Sequence, residues 1–324
     1  MWKNLRLNLV AFCSSLFLFA AILFLLSRRD GLNAVVAAWN RTDPVAFCVA
    51  VLLMLVVQAV SAWRVKIITA AEGLSNVGYL SLLRIQLISQ FIAYGAPIAA
   101  LSDVAKAAML KLRFDLPIGQ SIRVVFYERV CGALGAVVIG LAATLGQLVV
   151  PTPAMLVDVQ FLIWGAGLAG GAAILAIGGL HIRSGIGVFD RVARAVVLLG
   201  NMLRRPSVTG QMLLVSFGQL LGFALVFVAL AQGMHLAVLP AQMALFMPLI
   251  FLISSLPIFY QGWGGREAVL LLTIGRLGTV SSAQAIALSV AFGVVVFASS
   301  VPGAVFWMMR PSMRKFVHLE VEQT

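Results

Sequence analysis

The chain has 324 residues, of which 62% are hydrophobic and only 10% are charged. An ordinary soluble domain contains about 25% charged residues, so this composition excludes a soluble enzyme domain. The formal net charge of +12 suits a surface that faces anionic lipid headgroups, and the aliphatic residues between its arginines argue against nucleic acid. We therefore predict an all-α polytopic membrane protein in which residues 1–324 form a single membrane domain.

Six apolar stretches are long enough to cross a bilayer, whose hydrocarbon core of about 30 Å requires about 20 residues of helix. The first stretch is followed by Arg28 and Arg29 without a small-residue cleavage site, so we interpret it as a retained signal anchor. The predicted full spans are Leu7–Leu26, Pro44–Trp63, Val130–Val150, Phe161–Leu180, Gln211–Ala231 and Ala283–Met309.

Two further apolar regions, Tyr79–Leu112 and Ala241–Ile274, are interrupted by turn residues. The first contains the Gly-Ala-Pro turn at residues 95–97, and the second is broken within residues 257–265. Because proline lacks a backbone donor and disfavours helix in the residue before it, each region is predicted to form two short helices that meet at a break. Irregular backbone at membrane depth must be surrounded by protein or by a water-filled cavity. We therefore predict six full spans plus two re-entrant or broken helical hairpins.

The basic residues predict the orientation, since Lys and Arg collect on the cytoplasmic side of a membrane. With the N-terminus inside and each hairpin returning to its own side, 18 of the 23 basic residues fall in inside segments. We therefore predict a multi-pass protein of the bacterial inner membrane with both termini in the cytoplasm.

Each half of the chain consists of a span, an interfacial segment, a span, a broken hairpin and a span. The interfacial segments, residues 32–39 and 189–203, carry apolar residues at helical spacing. Because the first half starts inside and the second starts outside, residues 1–150 and 160–310 are predicted to form inverted-topology repeats. Such repeats are typical of transporters whose substrate site lies between them, and the alternative is a chance alternation of apolar runs.

Ionisable residues inside a bilayer cost about 2.5 to 3.5 kcal/mol each, so they mark candidate functional sites. Asp103 and Lys106 stand one helical turn apart just after the first break, either beside a polar pathway or as a surface ion pair. Glu128 and Arg129 lie at the start of the third predicted span. The alternative for this second pair is a snorkelling arginine and a solvated carboxylate at a helix end.

A third cluster follows Pro257 and comprises Gly264, Gly265, Arg266 and Glu267. The glycines permit positive φ, and a helix that starts after them presents free amide donors to an anion. Arg266 adds a planar fork of donors that suits phosphate. This cluster is the best candidate for a lipid-phosphate contact, and the alternative is a tight turn in which Arg266 and Glu267 only pair with each other.

These residues resemble the motifs of the lysylphosphatidylglycerol synthase transmembrane-region family, also called flippase-like domain proteins, over nearly the whole chain. That family has a proline break followed by Gly-Asp-x-x-Arg, which residues 102–106 resemble as Ser-Asp-Val-Ala-Lys. Ser102 therefore stands where glycine is usual, and Lys106 where arginine is usual. The other matching elements are the pair Glu128-Arg129, the proline and glycine-rich acidic turn at Pro257 and residues 262–267, and Pro302-Gly303 in the last span.

The resemblance implies that the protein moves a polar- or phosphate-headed lipid between leaflets. Its headgroup would pass through a groove formed by the two hairpins, while the acyl tails stay in lipid. The sequence ends shortly after its last predicted span, so we expect the soluble aminoacyl-transferase domain of bifunctional members to be absent and expect no enzyme activity. The predicted substrate-binding residues are Asp103, Lys106, Glu128, Arg129, Gly264, Gly265, Arg266 and Glu267.

The expected partners are membrane lipids with anionic or phosphate headgroups. Two other functions suit the same pattern: a non-transporting accessory subunit for a lipid- or glycan-modifying enzyme, and a small-solute transporter. Neither a cofactor nor a metal is expected, because the three cysteines and three histidines are too scattered to form a ligand set.

Overall fold

The computed structural model describes residues 31–40, 42–74, 76–95, 101–147, 164–165, 197, 200, 204–255, 259–277 and 280–309, and all regular structure in them is helical. The predicted span Leu7–Leu26, most of Phe161–Leu180 and most of the interfacial segment 189–203 lie outside these residues. So do the two predicted break prolines, Pro97 and Pro257.

The elements with defined bounds among the described residues are nine α-helices and one 3₁₀ turn. The helices are α1 Gly31–Asn40, α2 Pro44–Ala71, α3 Tyr79–Gly95, α4 Leu101–Phe114, α5 Ile118–Gln147, α6 Pro206–Gly233, α7 Pro240–Ser254, α8 Gly265–Leu272 and α9 Ser282–Met308, and the 3₁₀ turn is Tyr260–Gly262. Each apolar region with a predicted break thus holds two short helices, α3 with α4 and α7 with α8. The order of long helix, short helix pair and long helix occurs twice.

Local sequence signals explain several helix starts. Proline occupies the first turn of α2, α6 and α7, where its missing N–H costs nothing and its fixed φ suits the helix. The Asp43 carboxylate caps α2 by accepting from the Val45 N–H at 3.0 Å. At α9, Ser281 and Gln284 form a reciprocal capping box, in which each side chain accepts the other's backbone N–H.

Four of the described helices are long and apolar enough to cross a membrane: α2, α5, α6 and α9. Their outward faces are apolar, as in the stripe on α2 formed by Val45, Val49, Leu52 and Val56, whose residues are 44–68% exposed. Polar side chains such as Gln58 on the same helix are buried. A lipid solvent favours this arrangement, in which apolar residues face outward and polar residues face inward.

Two predicted boundaries are wrong, because both helices extend over charged residues that the prediction left outside them. Helix α2 continues past Trp63 to Ala71, and α5 begins at Ile118 rather than near Val130. The extra turns remain helical because their charges have partners in the protein. Lys66 donates to the Val77 carbonyl, and Arg123 pairs with Glu72 at 3.5 Å.

The long helices pack closely where glycine removes a side chain. A Cβ on Gly222 of α6 would lie 2.5 Å from Val57 of α2, and one on Gly233 would lie 2.5 Å from Ala46. As the residue number rises along α6 it falls along α2, so the two helices are antiparallel. Small residues at such crossings allow helices to associate in lipid by close packing.

Gly303 in α9 packs directly against the α3 backbone, and its replacement should destabilise the fold. A Cβ at this position would overlap the Leu87 backbone carbonyl, which cannot move without displacing α3. We expect Gly303→Ala to lower the midpoint of thermal unfolding in detergent micelles by several degrees, because overpacking typically costs about 1 to 3 kcal/mol.

The matched control is Gly218→Ala in α6, where a Cβ would meet nothing within 4 Å. Alanine has the higher helix propensity, so this change should leave the midpoint unchanged or raise it. Equal midpoints for the two variants would contradict the close crossing at Gly303.

Candidate functional site

A polar cavity of about 240 Å³ lies between the two short helix pairs. Its wall includes residues of α3 and α4 on one side and of α7, the 3₁₀ turn and α8 on the other, with the long helices α2, α5, α6 and α9 completing it. The structure therefore brings both interrupted regions to one space, although they are more than 100 residues apart in the chain. The predicted site residues that line this cavity are Asp103, Lys106, Glu128, Arg129 and Arg266.

Lys106 and Glu128 form a buried ion pair between α4 and α5. The Lys106 Nζ lies 2.7 Å and 2.6 Å from the two Glu128 carboxylate oxygens, and it also donates to Gln86 Oε1. Gln86 in turn donates to Gln58 Oε1 at 2.9 Å. The three ammonium protons of Lys106 thus have acceptors inside the protein, so this lysine can contact a ligand only by exchanging one of them.

Asp103 and Arg129 form a second pair between the same two helices, nearer to the surface. The Arg129 Nη2 lies 2.8 Å from Asp103 Oδ1, and its Nε lies 3.3 Å from the same oxygen. The two side chains are 57% and 38% exposed, so solvent competes with this pair much more than with Lys106 and Glu128. Two pairs with different exposure therefore follow each other along the α4–α5 contact.

Arg266 and Glu267 at the start of α8 pair with each other and with α9. The Arg266 Nη2 lies 3.3 Å from Glu267 Oε1, and Ser289 of α9 accepts from the Arg266 Nε and donates to the same carboxylate oxygen. The guanidinium also lies 5.1 Å from the ring centroids of both Trp263 and Phe292, within cation–π range. Arg266 and Glu267 therefore pair with each other at the turn, and Arg266 also lines the cavity.

The remaining predicted residues, Gly264, Gly265 and Glu267, lie behind the cavity wall rather than on it. Glu267 is fully buried, and its Oε2 accepts the Gly264 N–H at 2.6 Å, which caps α8. Gly264 has φ +86°, a conformation that glycine adopts without strain. A Cβ on Gly265 would lie 2.8 Å from the Phe259 ring. These residues shape the turn that presents Arg266.

The geometry can be compared with known proteins. The chain matches the family described as the lysylphosphatidylglycerol synthase TM region over residues 12–303. The chain belongs to this family. No curated protein matches it. In this member of the lysylphosphatidylglycerol synthase transmembrane-region family, residues of all three clusters that suggested the resemblance line one cavity or form the turn next to it.

Sequence reasoning missed the polar residues that the long helices contribute to the cavity of this family member. Gln58, Ser61 and Arg64 lie three residues apart on α2, and Gln219 of α6 donates to the Ser61 hydroxyl at 2.8 Å. Polar residues repeating every three positions on an otherwise apolar helix indicate one inward face, and that periodicity was the available signal. Arg64 is one of the 18 basic residues that the positive-inside pattern places in inside segments, whereas the structure places it within α2.

Within the described part of the chain, no group of three or more His, Cys, Asp or Glu side chains could hold a metal ion. Five of the six charged side chains that line the cavity instead form ion pairs, and such polar groups suit recognition of a polar or ionic group by hydrogen bonding.

Proposed function

We propose that this protein is a lipid translocator that passes a polar, phosphate-containing headgroup through the cavity between its two short helix pairs while the acyl tails stay in the bilayer. The observation that carries this proposal is that both pairs line one charged cavity. In a bilayer such a group of ionisable side chains is costly, and it persists where it serves a pathway for a polar substrate.

The depth of the cavity supports a pathway rather than a surface site. Glu128 follows Ile118, the first residue of α5, by ten residues, which corresponds to about 15 Å along the helix axis. Helix α5 has 30 residues and is about 45 Å long, so its ends extend beyond a hydrocarbon core of about 30 Å and Glu128 lies within the core at less than this depth. A charged space inside the core would lower the barrier that a headgroup meets there.

The two-fold helix order supports an inverted repeat, in which α2, the pair α3–α4 and α5 correspond to α6, the pair α7–α8 and α9. Helices α2 and α6 are antiparallel, as this correspondence requires. In this arrangement each short pair enters from its own leaflet as a re-entrant hairpin, and the site lies at the repeat interface.

The distribution of basic residues supports cytoplasmic termini. The end of the molecule where α2 stops and α6 starts is the basic one. Its basic residues within the described ranges are Lys66, Arg84, Lys111, Arg113, Arg123, Arg204 and Arg205. At the opposite end the described ranges contribute Arg276. This asymmetry is the one expected for a cytoplasmic basic end in a bacterial inner membrane.

The proposal is tested by reconstituting the purified protein into vesicles that carry a fluorescently labelled phospholipid and measuring how fast label leaves the inner leaflet. We expect faster exchange than in empty vesicles. Equal rates with and without the protein would contradict translocation.

A matched pair of variants tests whether the cavity is the route. Gln90→Phe fills the cavity at a partly exposed lining residue without changing any charge. Leu214→Phe adds the same ring on the outward face of α6, where Leu214 is 70% exposed. We expect the first variant to slow exchange and the second to behave as wild type.

An accessory subunit without transport is the second candidate, and one observation favours it: Asp103 and Glu128, which line the cavity, already pair with Arg129 and Lys106. A static polar contact surface would be stabilised by such pairs. This candidate predicts background exchange rates together with loss of partner-enzyme capture in Lys106→Met.

A further inference from the structure

Arg64 of α2 is a buried cation that the ion pairs of the cavity leave uncompensated. Its side chain lines the cavity and the residue is only 4% exposed. Its Nε and Nη2 atoms are buried without a hydrogen-bond partner, and within the described ranges it forms no ion pair. A buried guanidinium in this state is costly, because its desolvation is not offset by a partner.

The other cations of the cavity each have a carboxylate partner in the protein. Lys106 is paired with Glu128, Arg129 with Asp103, and Arg266 with Glu267. Four cations therefore face three carboxylates among the described residues around the cavity, and Arg64 supplies the positive charge that remains.

The surroundings of Arg64 leave room for its guanidinium. A Cβ on Gly132 of α5 would lie 2.5 Å from the Arg64 Nη1, so the absence of a side chain at Gly132 admits the group. The Ser254 hydroxyl of α7 also lines the cavity and, within the described ranges, is likewise buried without a hydrogen-bond partner. Two unsatisfied donor groups, one of them charged, thus face one space.

We propose that Arg64 is the anion-binding residue of the cavity and takes an oxyanion that carries one negative charge, namely a phosphodiester. The guanidinium fork matches two oxygens of a phosphate group, and one bound negative charge would neutralise the excess positive charge. The site deepens the proposed function, on which its assignment to a lipid headgroup rests. It differs from the sequence-based hypothesis, which gave the phosphate contact to Arg266.

The test measures binding to the full chain in detergent micelles. The probes are short-chain phosphatidylmethanol, which has a bare phosphodiester, diacylglycerol of the same chain length, which has none, and inorganic phosphate. We expect phosphatidylmethanol to raise the midpoint of thermal unfolding of the wild type and diacylglycerol to leave it unchanged. A response to inorganic phosphate of equal size would assign the same site to free anions instead of lipid.

Arg64→Met should weaken phosphatidylmethanol binding by about tenfold or more, because it removes hydrogen bonds to a charged group. The matched control is Arg204→Met, which removes an exposed arginine that does not line the cavity and should bind as wild type. Binding by Arg64→Met that equals the wild type would overturn the proposal.

The sign of the stability change separates a ligand-binding arginine from a structural one. Without ligand, Arg64→Met should unfold at the same temperature as the wild type or higher, since it removes an uncompensated buried charge. A lower midpoint would show that Arg64 supports the fold and would count against its role as an anion-binding residue.

Gly132→Ala is a second variant, which tests the site without removing the arginine. It displaces the guanidinium by steric contact while keeping its charge, and it too should weaken phosphatidylmethanol binding. Binding in micelles does not require transport. If the wild-type protein does not speed leaflet exchange but its phosphatidylmethanol binding depends on Arg64, only translocation is refuted. If the wild-type protein speeds exchange but Arg64→Met binds phosphatidylmethanol as the wild type does, only the Arg64 site is refuted.

Discussion

Replacing Lys106 by methionine should cause one of the two largest losses of stability and activity in this protein. The change leaves the Glu128 carboxylate, whose side chain is 14% exposed, without the ammonium that lies 2.6 Å away. Breaking a buried pair by removing one partner costs about 3 to 5 kcal/mol, because the remaining charge is still desolvated. We expect a clear fall in the midpoint of thermal unfolding in micelles and loss of leaflet exchange in vesicles.

Two further variants show whether the loss comes from the unpaired charge. The double variant Lys106→Met/Glu128→Leu removes both charges and should recover most of the stability, because no buried carboxylate is left. It should not recover exchange if the pair serves the headgroup pathway. Arg129→Met, in contrast, breaks a pair that is 57% and 38% exposed and should cost less than about 1 kcal/mol. Equal midpoints for Lys106→Met and Arg129→Met would refute the structural difference between the two pairs.

Replacing Glu267 by alanine should have a comparable effect on stability through a different mechanism. The fully buried carboxylate accepts hydrogen bonds from the Gly264 N–H, the Ser289 hydroxyl and the Arg266 guanidinium. Its removal uncaps α8 and leaves Arg266, which is 3% exposed, without its anion. We expect a loss of about 3 to 5 kcal/mol, measured as a lower thermal midpoint and a smaller monodisperse fraction in size-exclusion chromatography.

The control for the cap alone is Ser281→Ala at the exposed capping box of α9, which should cost about 1 kcal/mol. The double variant Arg266→Met/Glu267→Gln removes both charges and should be more stable than Glu267→Ala. A Glu267→Ala protein that unfolds within about 1 kcal/mol of the wild type would mean that this carboxylate is not the structural anchor of the turn.

The membrane character and the helix order follow from the sequence alone. Runs of about 20 apolar residues have one stable solution in lipid, a helix, so α2, α6 and α9 lie where hydropathy puts them. The division of each interrupted region into two short helices also follows, because the turn residues there disfavour a continuous helix. The family assignment also comes from the sequence, since the family match covers residues 12–303.

The sequence alone did not determine the roles of individual charged residues. A charged residue can end a helix or lie inside it, depending on whether a neighbouring element supplies an ion-pair partner. Arg123 and Glu128 lie within α5 because Glu72 and Lys106, which are 51 and 22 residues away in the chain, pair with them. Such pairing depends on tertiary contact and leaves no local signal.

Charge type and spacing identified most of the charged residues that line the cavity, since ionisable groups are rare in apolar segments and five of the predicted residues face one space. Only the tertiary structure decided which of these charges are already neutralised. The sequence could nominate Arg266 for an anion and offer its pairing with Glu267 as the alternative, because these two residues are neighbours. Only the packed helices show that this pair forms and that Arg64 lies buried without an ion-pair partner among the described residues.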